Sequence, residues 1–190
     1  MLSFEFEPGV PALLRRLVPE DRARVEEAYR QLSPESRYLR FWTRFREINP
    51  RFVERLIHPG GGDHATWVIV LPDNDEVPGV GGGSFWRLDG DPLGAEVSFT
   101  VADAFQGRGA GTILLAALWL HAEQTGIRYF AGHALDSNLA MRAWWDALGA
   151  AATQTQRGWE LRLELDRDGI PGSLQGRRLR HWFSVLEQGP

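Results

Sequence analysis

The sequence predicts a mixed α/β plan built around one sheet, with an antiparallel meander at its centre, and three observations carry that expectation. Its 190 residues match the size of one ordinary domain. Short runs rich in Val, Ile, Phe and Trp, closed by Gly, Pro and Asp, alternate with segments that open on helix-start signals. Three of those runs follow one another with only turns between them, which suits antiparallel neighbours rather than βαβ units.

The elements follow in order. Residues 12–18 form a first strand, and Pro19-Glu20-Asp21 opens a helix to about Leu32 with acidic groups at its positive end. Ser33-Pro34 is an N-cap with proline in the first helical position, and Asn49-Pro50 repeats the device. After the turn Pro59-Gly60-Gly61-Gly62-Asp63, residues 66–70 make a buried strand that ends at Pro72-Asp73-Asn74-Asp75. Residues 77–88 and 95–101 are the next strands, joined at Asp89-Gly90-Asp91. A helix over 109–124, a strand over 129–134, a helix over 138–148 and a strand pair over 153–165 complete the domain, residues 1–165. The tail, 166–190, is expected to hold a short docked helix in its amphipathic piece 177–186.

Composition excludes several classes of function. Apolar residues make up 43% and charged residues 24%, which is globular. The longest apolar stretch, residues 113–120, is well short of the roughly 20 needed to cross a bilayer, and the amino terminus lacks a basic-then-apolar signal, so a cytoplasmic protein with no membrane partner is expected. There is no cysteine, which removes disulfides, thiolate metal sites and a thiol nucleophile. A net charge of -4 argues against nucleic acid as a partner. All 21 basic residues are arginine; a Walker loop needs lysine, so none is present. The absence of lysine fits codon bias, or an enzyme with no target on itself. His58, His64, His121, His133 and His181 show no ligand spacing, so no metal is expected, although His64 and His133 fall near strand ends.

The segment Gln106-Gly107-Arg108-Gly109-Ala110-Gly111-Thr112 joins a strand to a helix. Glycines at 107, 109 and 111 let the backbone approach a ligand, and the helix start offers unpaired N–H groups, a combination that holds anions. A plain connecting turn is the alternative. A Rossmann loop needs a further glycine where Thr112 stands. On residues 95–101, Ala95, Val97, Phe99 and Val101 share one face; Glu96, Ser98 and Thr100 share the other, towards cleft or solvent.

Gln106-x-x-Gly109-x-Gly111 after a strand resembles the acetyl-CoA motif of the GNAT superfamily, and residues 138–150, an Asn-helix-Gly segment, resemble a second family element. The string Ala95-Glu96-Val97-Ser98-Phe99 and the segment Ser33-Pro34-Glu35-Ser36-Arg37-Tyr38-Leu39-Arg40-Phe41 are similar to bacterial protein lysine acetyltransferases of the Pat type. The likeness spans roughly residues 10–165. It implies the GNAT acyltransferase fold, a central, mostly antiparallel sheet flanked by helices, and acetyl-CoA as cosubstrate.

By the same resemblance, backbone groups of Phe99 and Val101 pair with the pantetheine arm. Gln106, Gly107, Arg108, Gly109, Ala110, Gly111 and Thr112 form the pyrophosphate loop, Asn138 bonds the pantetheine or holds the strand end, and Arg142 reaches a phosphate. Asn138 also reads as a helix cap and Arg142 as a solvated side chain. Glu96 is the implied general base, against the alternative of a solvated strand glutamate. Trp145 stands where many relatives carry a tyrosine acid. The expected activity is acetyl transfer to an amine, with protein lysine favoured over a small-molecule amine or a non-catalytic CoA-binding module; monomer and homodimer stay open. The Arg37, Arg40, Arg44, Arg46 cluster reads as a charged helix face, or as a surface that steers an acidic partner or the cofactor.

Overall fold

The computed structural model describes every residue except 44, 59–61, 73, 75–76 and 189–190. The turns expected at 59–63 and 72–75 lie partly outside the described residues, and Arg44 wholly so.

Eight strands form one sheet in the order β1-β2-β3-β4-β5-β6-β8-β7. They are β1 (Leu2–Glu7), β2 (Val10–Arg16), β3 (His64–Val70), β4 (Gly81–Leu88), β5 (Asp91–Val101), β6 (Tyr129–Ala134), β7 (Ala151–Thr155) and β8 (Gly158–Glu164). Every neighbouring pair is antiparallel except β5 with β6. The helices are α1 (Arg22–Gln31), α2 (Pro34–Phe41), α3 (Pro50–Ile57), α4 (Ala110–Gln124), α5 (Leu139–Ala147) and α6 (Leu174–Gln188). This is the predicted mixed α/β class, with β3–β4–β5 as the expected meander.

Several boundaries differ from the sequence prediction: β2 runs 10–16 rather than 12–18, β3 starts at His64 rather than 66, β5 starts at Asp91 rather than 95, and α6 extends over 174–188 rather than 177–186. The chain begins with β1, which the prediction omitted: Leu2-Ser3-Phe4-Glu5-Phe6-Glu7 alternates apolar and polar, and Pro8-Gly9, with Gly9 at φ 76°, turns it onto β2. Strand β4 starts at Gly81 rather than residue 77, because the chain through Pro78 and Gly79 has not yet joined the ladder. The helix starts behave as expected. Ser33 Oγ accepts from the Ser36 N–H at 3.1 Å, and the Asn49 side chain accepts from the Arg51 N–H at 2.9 Å.

Helix α4 is apolar all round; Ile113, Leu114, Leu115, Ala116, Ala117, Leu118 and Trp119 are all buried. One side packs on the sheet face that carries Ala95, Val97 and Phe99; the other is covered by α6 through Leu179 and Phe183. The opposite sheet face, with Val68, Ser84, Ser98 and Thr100, lies under α1–α3. Among the described residues no helix is long and apolar enough to cross a membrane.

Candidate functional site

The site begins where the sheet comes apart. Strands β5 and β6 pair for three rungs, Gly94 with Tyr129, Ala95 with Phe130 and Glu96 with Ala131. Beyond Glu96 they diverge: β5 stays with β4 as far as Val101 opposite Gly81, and β6 stays with β8 as far as Ala134 opposite Trp159. Strand groups alternate sides. The Leu93 carbonyl accepts from Arg128 N–H on the β6 side, and Ala102 N–H donates to Val80 on the β4 side. By that alternation Val97 still faces Ala131 beside the last shared rung, and the backbone groups of Phe99 and Val101 face the gap beyond it.

A cleft of about 800 Å³ opens at this splay. Its walls include Glu96, Phe99 and Val101 from β5, Gln106, Gly107, Gly109, Ala110, Gly111 and Thr112 from the loop, and Asn138 from the start of α5. Ten of the twelve residues singled out from the sequence therefore meet at one place. The other two lie outside the wall. Arg108 pairs with Glu7 at 3.0 Å, and the Arg142 guanidinium sits 3.2 Å over the Trp159 ring.

Within the loop, Gly107 and Gly109 have φ of 74° and 101°, values that a side chain would strain. None of the five amides from Gly107 to Gly111 has a hydrogen-bond partner among the described residues, whereas Thr112 N–H already donates to the Gly109 carbonyl at 3.0 Å. Thr112 Oγ1 instead accepts from the Trp144 indole at 3.2 Å, and Trp144 also meets Phe99 edge-on at 5.2 Å. The Gln106 side chain points back, donating to the Val101 carbonyl and to Ser36 Oγ, both at 3.1 Å. It braces the loop, and it leaves the Val101 N–H and both groups of Phe99 facing the gap. Asn138 caps α5 by accepting from the Met141 N–H at 3.2 Å.

Glu96 sits on the last rung before the splay, exposed, on the face under α1–α3. Its neighbours there were not all evident from sequence. Arg40, on α2, reaches down so that Nη2 donates to Ser98 Oγ at 2.6 Å, and Ser98 Oγ lies 3.2 Å from Ser84 Oγ. Arg40 Nε is enclosed without a partner. Burial pulls the guanidinium down to about 10, against the pull of Glu96 in the other direction. Arg37 is buried too, bonding carbonyls of Leu32 and Arg30. The two arginines of the expected charged face that lie on α2, Arg37 and Arg40, thus turn inward, while Arg46 is exposed beyond its end.

His133 lines the cleft, while His64 is buried at the start of β3 and stacked on Trp86 at 4.6 Å; burial lowers its basicity. Trp145 packs against Gly132, where a Cβ would come within 2.9 Å of its ring, and among the described residues no tyrosine lines the cleft.

Asp103, in the short turn after β5, was missed by sequence reasoning because nothing local marks it. It accepts from Ser33 N–H at 3.0 Å and from the hydroxyls of Ser33 and Ser36 at 2.7 Å, tying the start of α2 to the Gln106 loop. Burial pushes its carboxyl up, but these bonds outweigh it and hold the group below the usual aspartate range. A lowered folded value means that this stability is present above the unfolded aspartate range and is lost as pH falls through the folded value. Asp103→Ala is expected to cost about 1 kcal/mol at pH 7, with the gap to wild type closing in acid; urea unfolding across pH measures it.

Residues 24–150 match the family described as the acetyltransferase (GNAT) family. Acetyltransferase Pat of Mycolicibacterium smegmatis is 33% identical over 145 residues, which is 76% of this chain and 43% of that protein. The chain thus spans less than half of that relative's length. The GNAT domain of S. lividans PAT superposes with a TM-score of 0.77 at 26% identity, over 86% of this chain and 96% of that domain. The yncA protein of Salmonella typhimurium, solved with acetyl-CoA, shares the fold at a TM-score of 0.65 and 20% identity, over 84% of this chain and 97% of that one.

Proposed function

The chain belongs to the GNAT acetyltransferase family, and from that premise we propose that it moves acetyl from acetyl-CoA to the side-chain amine of protein lysine, with Glu96 as general base. The observation that carries the proposal is the splay itself: an open β5 edge runs from Glu96 towards the turn into α4, where five amides have no hydrogen-bond partner among the described residues.

The residues fit the cofactor. Phe99 and the Val101 N–H offer strand-like hydrogen bonds to the amides of a pantetheine arm, and the Gly107–Gly111 amides offer donors to a pyrophosphate. Arg108 and Arg142 would serve a phosphate only on leaving Glu7 and Trp159. Acetyl-CoA supplies the acetyl group as a thioester. Glu96, at the inner end of the open edge, takes a proton from the incoming amine as its nitrogen bonds to the acyl carbon. The Phe99 N–H faces the gap where negative charge develops on the acyl oxygen. The thiol has an ordinary pKa of about 8.5, so its thiolate leaves without a tyrosine acid, and water or the new ammonium returns the proton.

Two features favour a protein acceptor. One is the likeness to Pat. The other is the apolar rim around the end of α2, where Tyr38, Trp42 and Phe45 are 38%, 45% and 77% exposed and Trp42 borders the cleft. Mass spectrometry of lysine peptides and of free amines incubated with acetyl-CoA tests this. Acetylated peptide lysines are expected; turnover confined to free amines would overturn the lysine assignment.

Gly111→Ala separates fold from cofactor binding. An added Cβ would meet Trp144 no closer than 3.6 Å, an ordinary contact. The variant is expected to melt no lower than wild type, since alanine suits a helix better, yet to bind acetyl-CoA about ten-fold more weakly, because the methyl would crowd the approach to the amides. Calorimetric titration and thermal unfolding give the two readouts.

A further inference from the structure

We propose that Arg40 is the acceptor-specificity residue of this site, selecting amines that carry a carboxylate. The inference rests on the acetyl-transfer reading and deepens it.

Arg40 differs from the other paired arginines. Arg15, Arg87, Arg108 and Arg167 each meet a carboxylate, with Asp21, Asp63, Glu7 and Glu123 as partners. Arg37 shares the lack of a carboxylate and an enclosed Nε, but it bonds the Leu32 and Arg30 carbonyls and lies outside the cleft lining; Arg40 lines the cleft, its side-chain hydrogen bond is to the neutral Ser98 hydroxyl, and its Nε has no partner among the described residues. A cation withdrawn from water is costly when the nearby Glu96 charge acts on it without a hydrogen bond, and an arriving carboxylate would offset that cost through charge-assisted, fork-like hydrogen bonds. Burial already makes the charged form harder to hold, so an anionic ligand gains more here than at a solvated arginine.

Position adds the second argument. Ser98 follows Glu96 by two residues on the same strand face, so the group that Arg40 touches lies roughly 7 Å from the Glu96 position. One acceptor can therefore set its amine at Glu96 and a carboxylate at Arg40. The wall between them carries an acid and a base that do not pair with each other among the described residues. That arrangement complements a molecule bearing both charges. The carboxylate can come from an Asp or Glu beside the target lysine, or from a free amino acid.

The experiment pairs acceptors that differ only in that group. In the peptide arm, a lysine flanked by Glu is compared with the same lysine flanked by Gln; in the free arm, lysine is compared with lysinamide. Wild type, Arg40→Gln and Arg40→Lys are assayed, with acetyl-CoA titration to show that each variant is folded and loaded. Wild type is expected to favour the carboxylate about ten-fold or more in kcat/KM, mainly through KM, in the arm that matches its natural acceptor. Arg40→Gln should bring the ratio to about one, and Arg40→Lys should keep part of it. Equal use of both members of each pair by wild type, or a preference that survives Arg40→Gln, would overturn the role of Arg40 while leaving acetyl transfer intact. No turnover in either arm by a protein that binds acetyl-CoA would overturn the acceptor site itself, and this inference with it.

Discussion

Glu96→Gln is expected to lower kcat/KM for amine acetylation by about 10²–10³-fold at pH 7, while acetyl-CoA binds as before. The substitution keeps shape and removes the proton acceptor. A lysine amine with an ordinary pKa of about 10.4 is almost wholly protonated at neutral pH, so the enzyme must draw the proton off before or during attack. Glu96 is placed for this. It occupies the last shared rung of β5 and β6, on the face under α2, and the gap for the thioester opens one residue beyond it. Raising the pH supplies free amine from solution and makes the base less necessary. The deficit of the variant should therefore shrink steadily towards pH 9–10. A pH–rate profile reads this directly, and undiminished turnover at pH 7 would remove Glu96 from the proton's path.

The elements that sequence announced best were those whose signal is local. Ser33-Pro34 and Asn49-Pro50 write a cap and a fixed φ into two adjacent residues, and both helices start there. The loop glycines are likewise self-contained: φ of 74° and 101° at Gly107 and Gly109 is what glycine permits. Strand β1 was equally legible in its alternation and its Pro8-Gly9 turn, although the prediction passed over it.

What stayed hidden depends on contacts far apart in the chain. The 58 residues between Arg40 and Ser98, and the 70 between Ser33 and Asp103, are closed only once α2 lies across β5. Nothing in residues 37–46 distinguishes an inward arginine from an outward one, so a run of arginines read as a solvated face. The splay is hidden for a related reason. Residues 97–101 look like an ordinary strand; only the pairing of β6 with β8 beyond Ala131 shows that one edge of β5 is left open. The family resemblance marked the ends of the cleft, Glu96 and the Gly107–Gly111 turn, while its α2 wall, with Arg40, Ser36 and the brace through Asp103, emerged from tertiary structure.

Phe183→Ala is expected to cost about 3–5 kcal/mol of stability, and the reason reaches the cleft. Phe183 is 4% exposed; its ring meets Trp119 edge-on at 5.4 Å, with the Arg167 guanidinium 4.8 Å away on it. Arg167 in turn bonds Glu123 through Nε at 2.9 Å and Glu187 through Nη1 at 2.6 Å, and Trp119 donates to Glu123 at 2.8 Å. Removing the ring empties the space over Trp119, which has no solvent exposure, and loosens the ion pairs that fasten the end of α6. Helix α6 carries Gln175 and Arg178 on the cleft wall at its other end. A loosened α6 should therefore weaken acetyl-CoA binding as well as lower the unfolding midpoint. Phe183→Leu, which refills most of the volume, should restore most of both. Urea unfolding and calorimetric titration on the two variants test the coupling. A full loss of stability with unchanged cofactor affinity would show that α6 holds the core together without shaping the site.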